Sequence, residues 1–231
     1  MLGLANRIAR WQLSRRMSRD WDDRARENAR HYVDTGRTDW TDEDFFASGK
    51  LAIDQDILSD TENIYQGMDP ADMKVVEIGC GAGRLTRALS DLFGEVHAVD
   101  VSQQMVEEAR KALADRPNAH VHHNNGYDLS MLPSGEFDFG YSAVVFQHIP
   151  SAEVIENYVR EVHRLLNPGK LFKFQVQGYT KDNRVSSRDT WHGVGFDEDA
   201  ARAMAERCGF EMRYTYGAGN QYFWLWYFKR P

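Results

Sequence analysis

The chain is poor in cysteine, in long apolar runs and in net positive charge, and each shortage closes off a class of protein. Two cysteines among 231 residues, Cys80 and Cys208, supply neither a disulfide framework nor a metal-binding spacing, so no metal is expected. A reducing, cytoplasmic setting follows as the default. No apolar stretch nears the roughly 20 residues that cross a bilayer, which argues against a transmembrane helix. The formal net charge of −7 argues against a general nucleic-acid binder, which needs a basic surface to neutralise phosphate, although a local basic patch remains open. Internal repeats and low-complexity segments are absent, and the length suits one catalytic domain with an N-terminal extension.

Acidic residues are also missing before Asp20. Leu4, Ile8, Trp11 and Met17 recur at helical spacings with Arg7, Arg10, Arg15, Arg16 and Arg19 between them, which predicts a basic amphipathic helix over residues 1–33. Transit peptides share this composition, but the segment is read here as a retained part of the protein. Two readings stand for the helix: an apolar stripe packed on the domain with arginines in water, or a surface for an anionic partner or membrane. Trp21, Tyr32, Trp40, Phe45 and Phe46 follow among many charges, and aromatics of that size have to be buried against protein or ligand. A helix is expected over residues 51–66, and Asp69-Pro70 marks the break before the next element.

The chemistry centres on Val75-Val76-Glu77-Ile78-Gly79-Cys80-Gly81-Ala82-Gly83-Arg84-Leu85-Thr86. A short apolar run, three alternating glycines and a helix-like segment give the strand, tight turn and helix order of a nucleotide-type βαβ unit. The third glycine stands one place too early for a dinucleotide fingerprint, and the Lys-Ser/Thr ending of a phosphate-binding loop is absent. Glu77 would repel a pyrophosphate at the helix N-terminus but suits an ammonium or hydroxyl, so the expected ligand carries positive charge and no phosphate. A second strand, over residues 97–102, carries Asp100 about 20 residues after the first glycine, where a doubly wound sheet places an acid for two ribose hydroxyls.

With these two acids in place the chain resembles the class I S-adenosylmethionine-dependent methyltransferases, whose first motif, E/D-x-G-x-G-x-G, it matches in full over Glu77 to Gly83. The resemblance covers roughly Met73 to Pro231. It implies an α/β fold: a doubly wound, mostly parallel seven-stranded sheet with an antiparallel last strand and helices on both faces. It further implies two regions, a helical extension over 1–66 that is a candidate lid, and a Rossmann-like domain over 67–231. The cofactor-facing set it implies is Glu77, Gly79, Cys80, Gly81, Gly83 and Arg84 at the turn, Asp100, Val101 and Met105 after the second strand, Asn125, Gly126 and Tyr127 after the third, and Ser142 and Ala143 after the fourth. Asn125 stands where the family usually has an acid, and as an amide it both accepts and donates toward an adenine edge.

Further strands are expected over residues 121–124, 137–142, 171–177, 211–216 and 222–229. Helices are expected over 85–93, 103–114 with Ser102 as N-cap, 153–166 and 197–208. Asn167-Pro168-Gly169-Lys170 reads as a tight turn. His148 is the candidate general base, with Tyr141, Gln147 and His192 behind it, and Gln177 ends its strand toward the substrate side. The polar stretch 178–196 is the candidate specificity loop. The function implied is methyl transfer from S-adenosylmethionine to an O or N atom of a small-molecule acceptor, leaving S-adenosylhomocysteine. The competing readings are a nucleic-acid or protein methyltransferase using the basic helix, and a cofactor-binding partner subunit without chemistry.

Overall fold

The computed structural model describes residues 2–178 and 190–231, with side chains from Arg7 onward. Its elements in chain order are α1 (Leu2–Val33), α2 (Asp42–Asp56), α3 (Thr61–Tyr65), β1 (Lys74–Ile78), α4 (Arg84–Leu92), β2 (Glu95–Asp100), α5 (Gln103–Ala112), β3 (Ala119–His123) and β4 (Phe137–Ser142). Then follow α6 (Ala152–Leu165), β5 (Leu166–Val176), α7 (Glu198–Arg207), β6 (Phe210–Tyr216) and β7 (Phe223–Lys229). The strand order is β3-β2-β1-β4-β5-β7-β6, so the expected seven-stranded α/β sheet is present, with the last strand in sequence inserted one place from the edge. Two compact units contain these elements, residues 18–124 and residues 1–17 with 125–231.

In the unit formed by residues 18–124, β1, β2 and β3 pair in parallel. Parallel strands need crossover helices, and these are supplied by α4 and α5. Ser102 caps α5 as expected, its hydroxyl accepting from the Met105 N–H. The face of α5 carrying Val106 and Ala109, continued by Leu113 at its C-cap, buries against Cys80, Ala98 and Val121. The α1 helix carries non-helical dihedrals at Asn28, whose side-chain amide donates to Thr38 O. The α2 helix starts at Asp42, earlier than the sequence pattern suggested, because Thr41 caps it by accepting from Asp44 N–H. It ends at Asp56, and the rest of the expected 51–66 helix breaks into a 3-10 turn and α3, which closes on a left-handed Gln66.

In the other unit β4 and β5 pair in parallel, while β7 runs antiparallel to both β5 and β6. The expected turn 167–170 is an irregularity within β5: Phe137 faces Leu166 and Phe139 faces Leu171, and Gly169 takes φ 80° between them. An aromatic core of Phe146, Phe172, Phe174, Phe210 and Tyr227 fills the space around these strands, with Phe172 and Phe174 stacked at 4.2 Å. On the opposite face of β5 the Lys173 ammonium sits 4.6 Å from the Trp226 ring, which explains a buried lysine in a central strand.

The apolar stripe expected on α1 does not pack as one. Met17 is buried, whereas Ile8 and Trp11 are 48% and 57% exposed. The packed face is partly polar: Arg10 donates to Tyr127 Oη at 2.6 Å and lies over that ring, and Ser14 donates to Gly126 O. Arg10, Ser14 and Met17 share a helical face at i, i+4 and i+7. Hydrogen bonding to the loop after β3 outweighs burial of Ile8 and Trp11 in choosing the face. Among the described residues no helix is long and apolar enough to cross a membrane.

Candidate cofactor site

Between β1 and α4 the chain turns through Gly79, Gly81 and Gly83, all with positive φ (78°, 52° and 84°), a region in which other residues are strained. The Gly79 and Cys80 N–H groups both donate to Val99 O, tying the turn to β2. A Cβ on Gly81 would lie 2.5 Å from Val33 Cγ2, and one on Gly83 would meet Leu113 and Ala109 at 3.3–3.5 Å. The space spared by these glycines is therefore filled by protein, and a ligand meets the turn on its backbone side.

Asp100, at the end of β2, is half-buried and has both oxygens engaged. Oδ2 accepts from Gly81 N–H at 2.9 Å and Oδ1 from Ser102 N–H at 2.8 Å. Burial pushes this carboxyl up from its usual range, while the two amides pull it down. Glu77 is 2% exposed and accepts from Thr86 Oγ1 at 2.6 Å. Burial raises its carboxyl to about 7, with the Thr86 hydroxyl and the Arg84 charge working in the other direction. Arg84 lies 3.4 Å from Asp34 and from Ser48 Oγ, and its Nε is buried with no hydrogen-bond partner among the described residues. Cys80 is buried in the α5 cluster with its thiol pushed well up by burial, which makes it a packing residue with little thiolate character. Val101 is half-buried, and its carbonyl accepts from His123 Nε2.

Met105 is 1% exposed and sits with Phe45 and Ala82 in a cluster that also takes in Trp21, Tyr32, Val33, Trp40 and Phe46. Of the aromatics of the N-terminal segment, Phe45 is buried against protein beside the turn, and Trp21, Tyr32, Trp40 and Phe46 are half-buried around it. Contact there is close: a Cβ on Gly49 of α2 would lie 2.2 Å from Arg84 O. A cavity of about 530 Å³ opens nearby, lined by Arg30, Phe45, Phe46, Ala82, Arg87 and Lys111 among others. Neither Glu77 nor Asp100 lines it, so it is not assigned to the cofactor.

The remaining predicted residues lie in the other unit. Asn125 Oδ1 accepts from the N–H groups of Tyr127 and Asp128, so the side-chain oxygen is used to shape its own loop. Gly126 takes φ 74° there, and Tyr127 is held by Arg10. Asp128 accepts from Ser130 and caps the following turn. Buried Ser142 ends β4; past it Ala143 is half-buried and Val144 has φ 60°, an uncommon conformation for a β-branched residue. Val144 N–H donates to Gln175 Oε1 at 3.0 Å. From there a buried chain runs through Gln147, 3.5 Å from Gln175, to His148. His148 Nδ1 is 2.5 Å from Trp191 O and must donate to it, which leaves Nε2 as an acceptor, 3.2 Å from Gln147 Nε2. Gln175 is not among the residues expected from the sequence. Its signal is a polar residue at a buried position of a central strand, two places from Lys173. Gln177 O accepts from Phe196 N–H, and most of the expected specificity loop lies outside the described residues.

A methyltransferase-domain family model matches residues 75–169. The malonyl-[acyl-carrier protein] O-methyltransferase of Enterobacter lignolyticus is 29% identical over 134 residues, 57% of this chain and 49% of that protein. The ubiquinone biosynthesis O-methyltransferase of Xanthomonas oryzae pv. oryzae is 31% identical over 107 residues, 46% of this chain and 44% of that one. The chain therefore spans about half the length of the curated relatives it matches. Among solved structures, the DhpI–SAH complex superposes with a TM-score of 0.62 at 19% identity, covering 93% of this chain and 98% of that one. With the E-x-G-x-G-x-G turn, the acid closing β2 and this strand order, residues 75–169 carry a methyltransferase domain, in a fold shared with the S-adenosylmethionine-dependent methyltransferases.

Proposed function

We propose that the chain transfers the methyl group of S-adenosylmethionine to an oxygen or nitrogen atom of a small-molecule acceptor, leaving S-adenosylhomocysteine. The observation that carries this reading is Asp100, a carboxylate fixed by two backbone amides at the end of β2 beside a glycine turn. A carboxylate held in this way accepts from a ribose diol without having to reorganise. Glu77, one turn of chain away and kept partly protonated by burial near neutral pH, gains a reason to ionise when a cation approaches. The buried Nε–H of Arg84 offers a donor to an amino-acid carboxylate. These features fit a sulfonium amino-acid nucleoside better than a dinucleotide, whose pyrophosphate Glu77 would repel.

When bound, that cofactor supplies an activated methyl group, so the reaction needs no metal. The protein's part is to hold the acceptor and exclude water. On this reading Ser142 and Ala143 border the transfer position, Asn125, Gly126 and Tyr127 border the adenine, and His148 acts on the acceptor. The side chains on hand for that last role are amides, which orient a hydroxyl or amine, and the His148 imidazole, whose Nε2 lone pair is the group able to take a proton from it. Residues 1–66 are assigned as a helical extension over the domain 67–231. The reach of Val33, Asp34 and Gly49 to the turn supports its use as a lid. The two relatives described above are named as O-methyltransferases, which favours oxygen, and a cytoplasmic setting suits such chemistry.

The test is to incubate the protein with methyl-labelled S-adenosylmethionine and, separately, a metabolite extract, tRNA and a protein lysate. Label entering the metabolite pool is the expected result. Transfer confined to tRNA or protein overturns the small-molecule assignment, and cofactor binding with no transfer to any pool favours a partner subunit.

A further inference from the structure

Away from the glycine turn, at the opposite end of β2, a group of metal-ligand side chains converges that the expected function does not use. In the parallel pairing of β2 and β3, His97 lies directly opposite His120 and Val99 opposite His122. Side chains two apart on a strand, and side chains paired across parallel strands, project to the same face, so Glu95, His97, His120 and His122 share one face. Glu95 Oε1 is 2.6 Å from His97 Nε2 and 3.7 Å from His120 Nε2, and the three ligand atoms all lie within 4.8 Å of one another. His97 Nδ1 is in turn 3.1 Å from His122 Nε2.

We propose that Glu95, His97 and His120 form a binding site for a divalent cation of the zinc class. Imidazole nitrogen and carboxylate oxygen are the donors such ions take, at about 2.0–2.2 Å. Around a tetrahedral centre those bond lengths put the donors about 3.3 Å apart. The Glu95–His120 separation is already near this, and the Glu95–His97 pair opens by less than about 1 Å to admit the ion. The cation takes the place of the proton between Glu95 and His97. His97 Nδ1–H then donates to His122 Nε2, the outer hydrogen bond that fixes the tautomer of a ligating histidine. His120 is exposed and Glu95 and His97 are half-buried, so solvent completes the coordination. The ion clamps β3 to β2. Glu95 and Asp100 stand five residues apart along extended chain, roughly 16 Å, so the site is structural and independent of methyl transfer. Lys74 Nζ, 3.5 Å from Glu95 Oε1, is the resident cation that the metal displaces.

The probe is Co2+, titrated into the full chain and then competed with Zn2+. The expected result is one equivalent of Co2+ giving visible ligand-field absorption that Zn2+ abolishes, together with a rise in Tm on adding Zn2+. His97→Ala and His120→Asn remove both signals. His122→Ala weakens Co2+ binding about 10–100-fold, and Lys74→Met tightens it. The His120→Asn substitution decides the matter, because its exposed position keeps folding out of the result; circular dichroism checks this. Absence of the absorption at millimolar Co2+, or an unchanged affinity in His120→Asn, overturns the proposal.

Discussion

The glycine turn after β1 and the segment after β4 are shaped by different means. At the turn, main-chain groups set the geometry: three positive-φ glycines, two N–H bonds to Val99 O, and two N–H bonds to Asp100. After β4, side chains set it: Gln175 holds Val144 at φ 60°, and Gln147 and His148 continue the chain to Trp191 O. A backbone-built site has few sequence solutions and serves one ligand. A site built from amides and an imidazole is altered by single substitutions, which fits the acceptor-facing role proposed for it.

Removing the turn's acid breaks this comparison most strongly. Asp100→Ala is expected to weaken S-adenosylhomocysteine binding about 100-fold or more by calorimetry, and Asp128→Ala, which only caps its own turn, less than about 3-fold. Asp100→Asn, which keeps an acceptor for the Gly81 or Ser102 N–H, separates loss of charge from collapse of the turn. Equal losses at 100 and 128 would refute the assignment.

The buried Glu77 gives a pH test. Its carboxyl sits at about 7 in the fold against an ordinary value of 4.5. The folded state therefore holds the extra proton between those values, and stability falls as pH rises through that window, by about 3 kcal/mol once pH exceeds 7. Urea unfolding of the cofactor-free protein at pH 5 and pH 8 is expected to show this loss, and Glu77→Gln to flatten it. An unchanged slope in the variant contradicts burial as the cause.

Gly49→Ala sharpens the claim that α2 is locked onto the turn. The new methyl meets Arg84 O at 2.2 Å, so denaturation is expected to show a loss of about 1–3 kcal/mol, with weaker cofactor binding. The smallest effect belongs to the other segment. Gln175→Leu strands the Val144 N–H, costs about 1–2 kcal/mol of stability, and lowers kcat while leaving cofactor Kd within about 2-fold. A larger change in Kd than in kcat would remove Gln175 from the acceptor half.

What was legible in the sequence follows the same division. The turn, Asp100 and the Ser102 cap follow local rules, since strand, glycine spacing and N-cap chemistry act between near neighbours, and the strands were found to within a few residues. The packed face of α1 is invisible to periodicity, because it is chosen by the bond from Arg10 to Tyr127, more than a hundred residues away. The α2 start is set by the Thr41 cap, which stands ten residues ahead of the apolar run that opens at Leu51. Gln175 and the pairing of His97 with His120 depend on register between strands, which only the folded chain displays.

The central claim is that the turn beside Asp100 receives a cationic nucleoside with no phosphate. Its most direct test is calorimetric titration of the purified wild-type chain with S-adenosylmethionine, S-adenosylhomocysteine and a nicotinamide dinucleotide in parallel. Saturable one-to-one binding of the first two and no heat from the third is the result expected. Uptake of the dinucleotide with no affinity for either sulfur nucleoside would contradict the account.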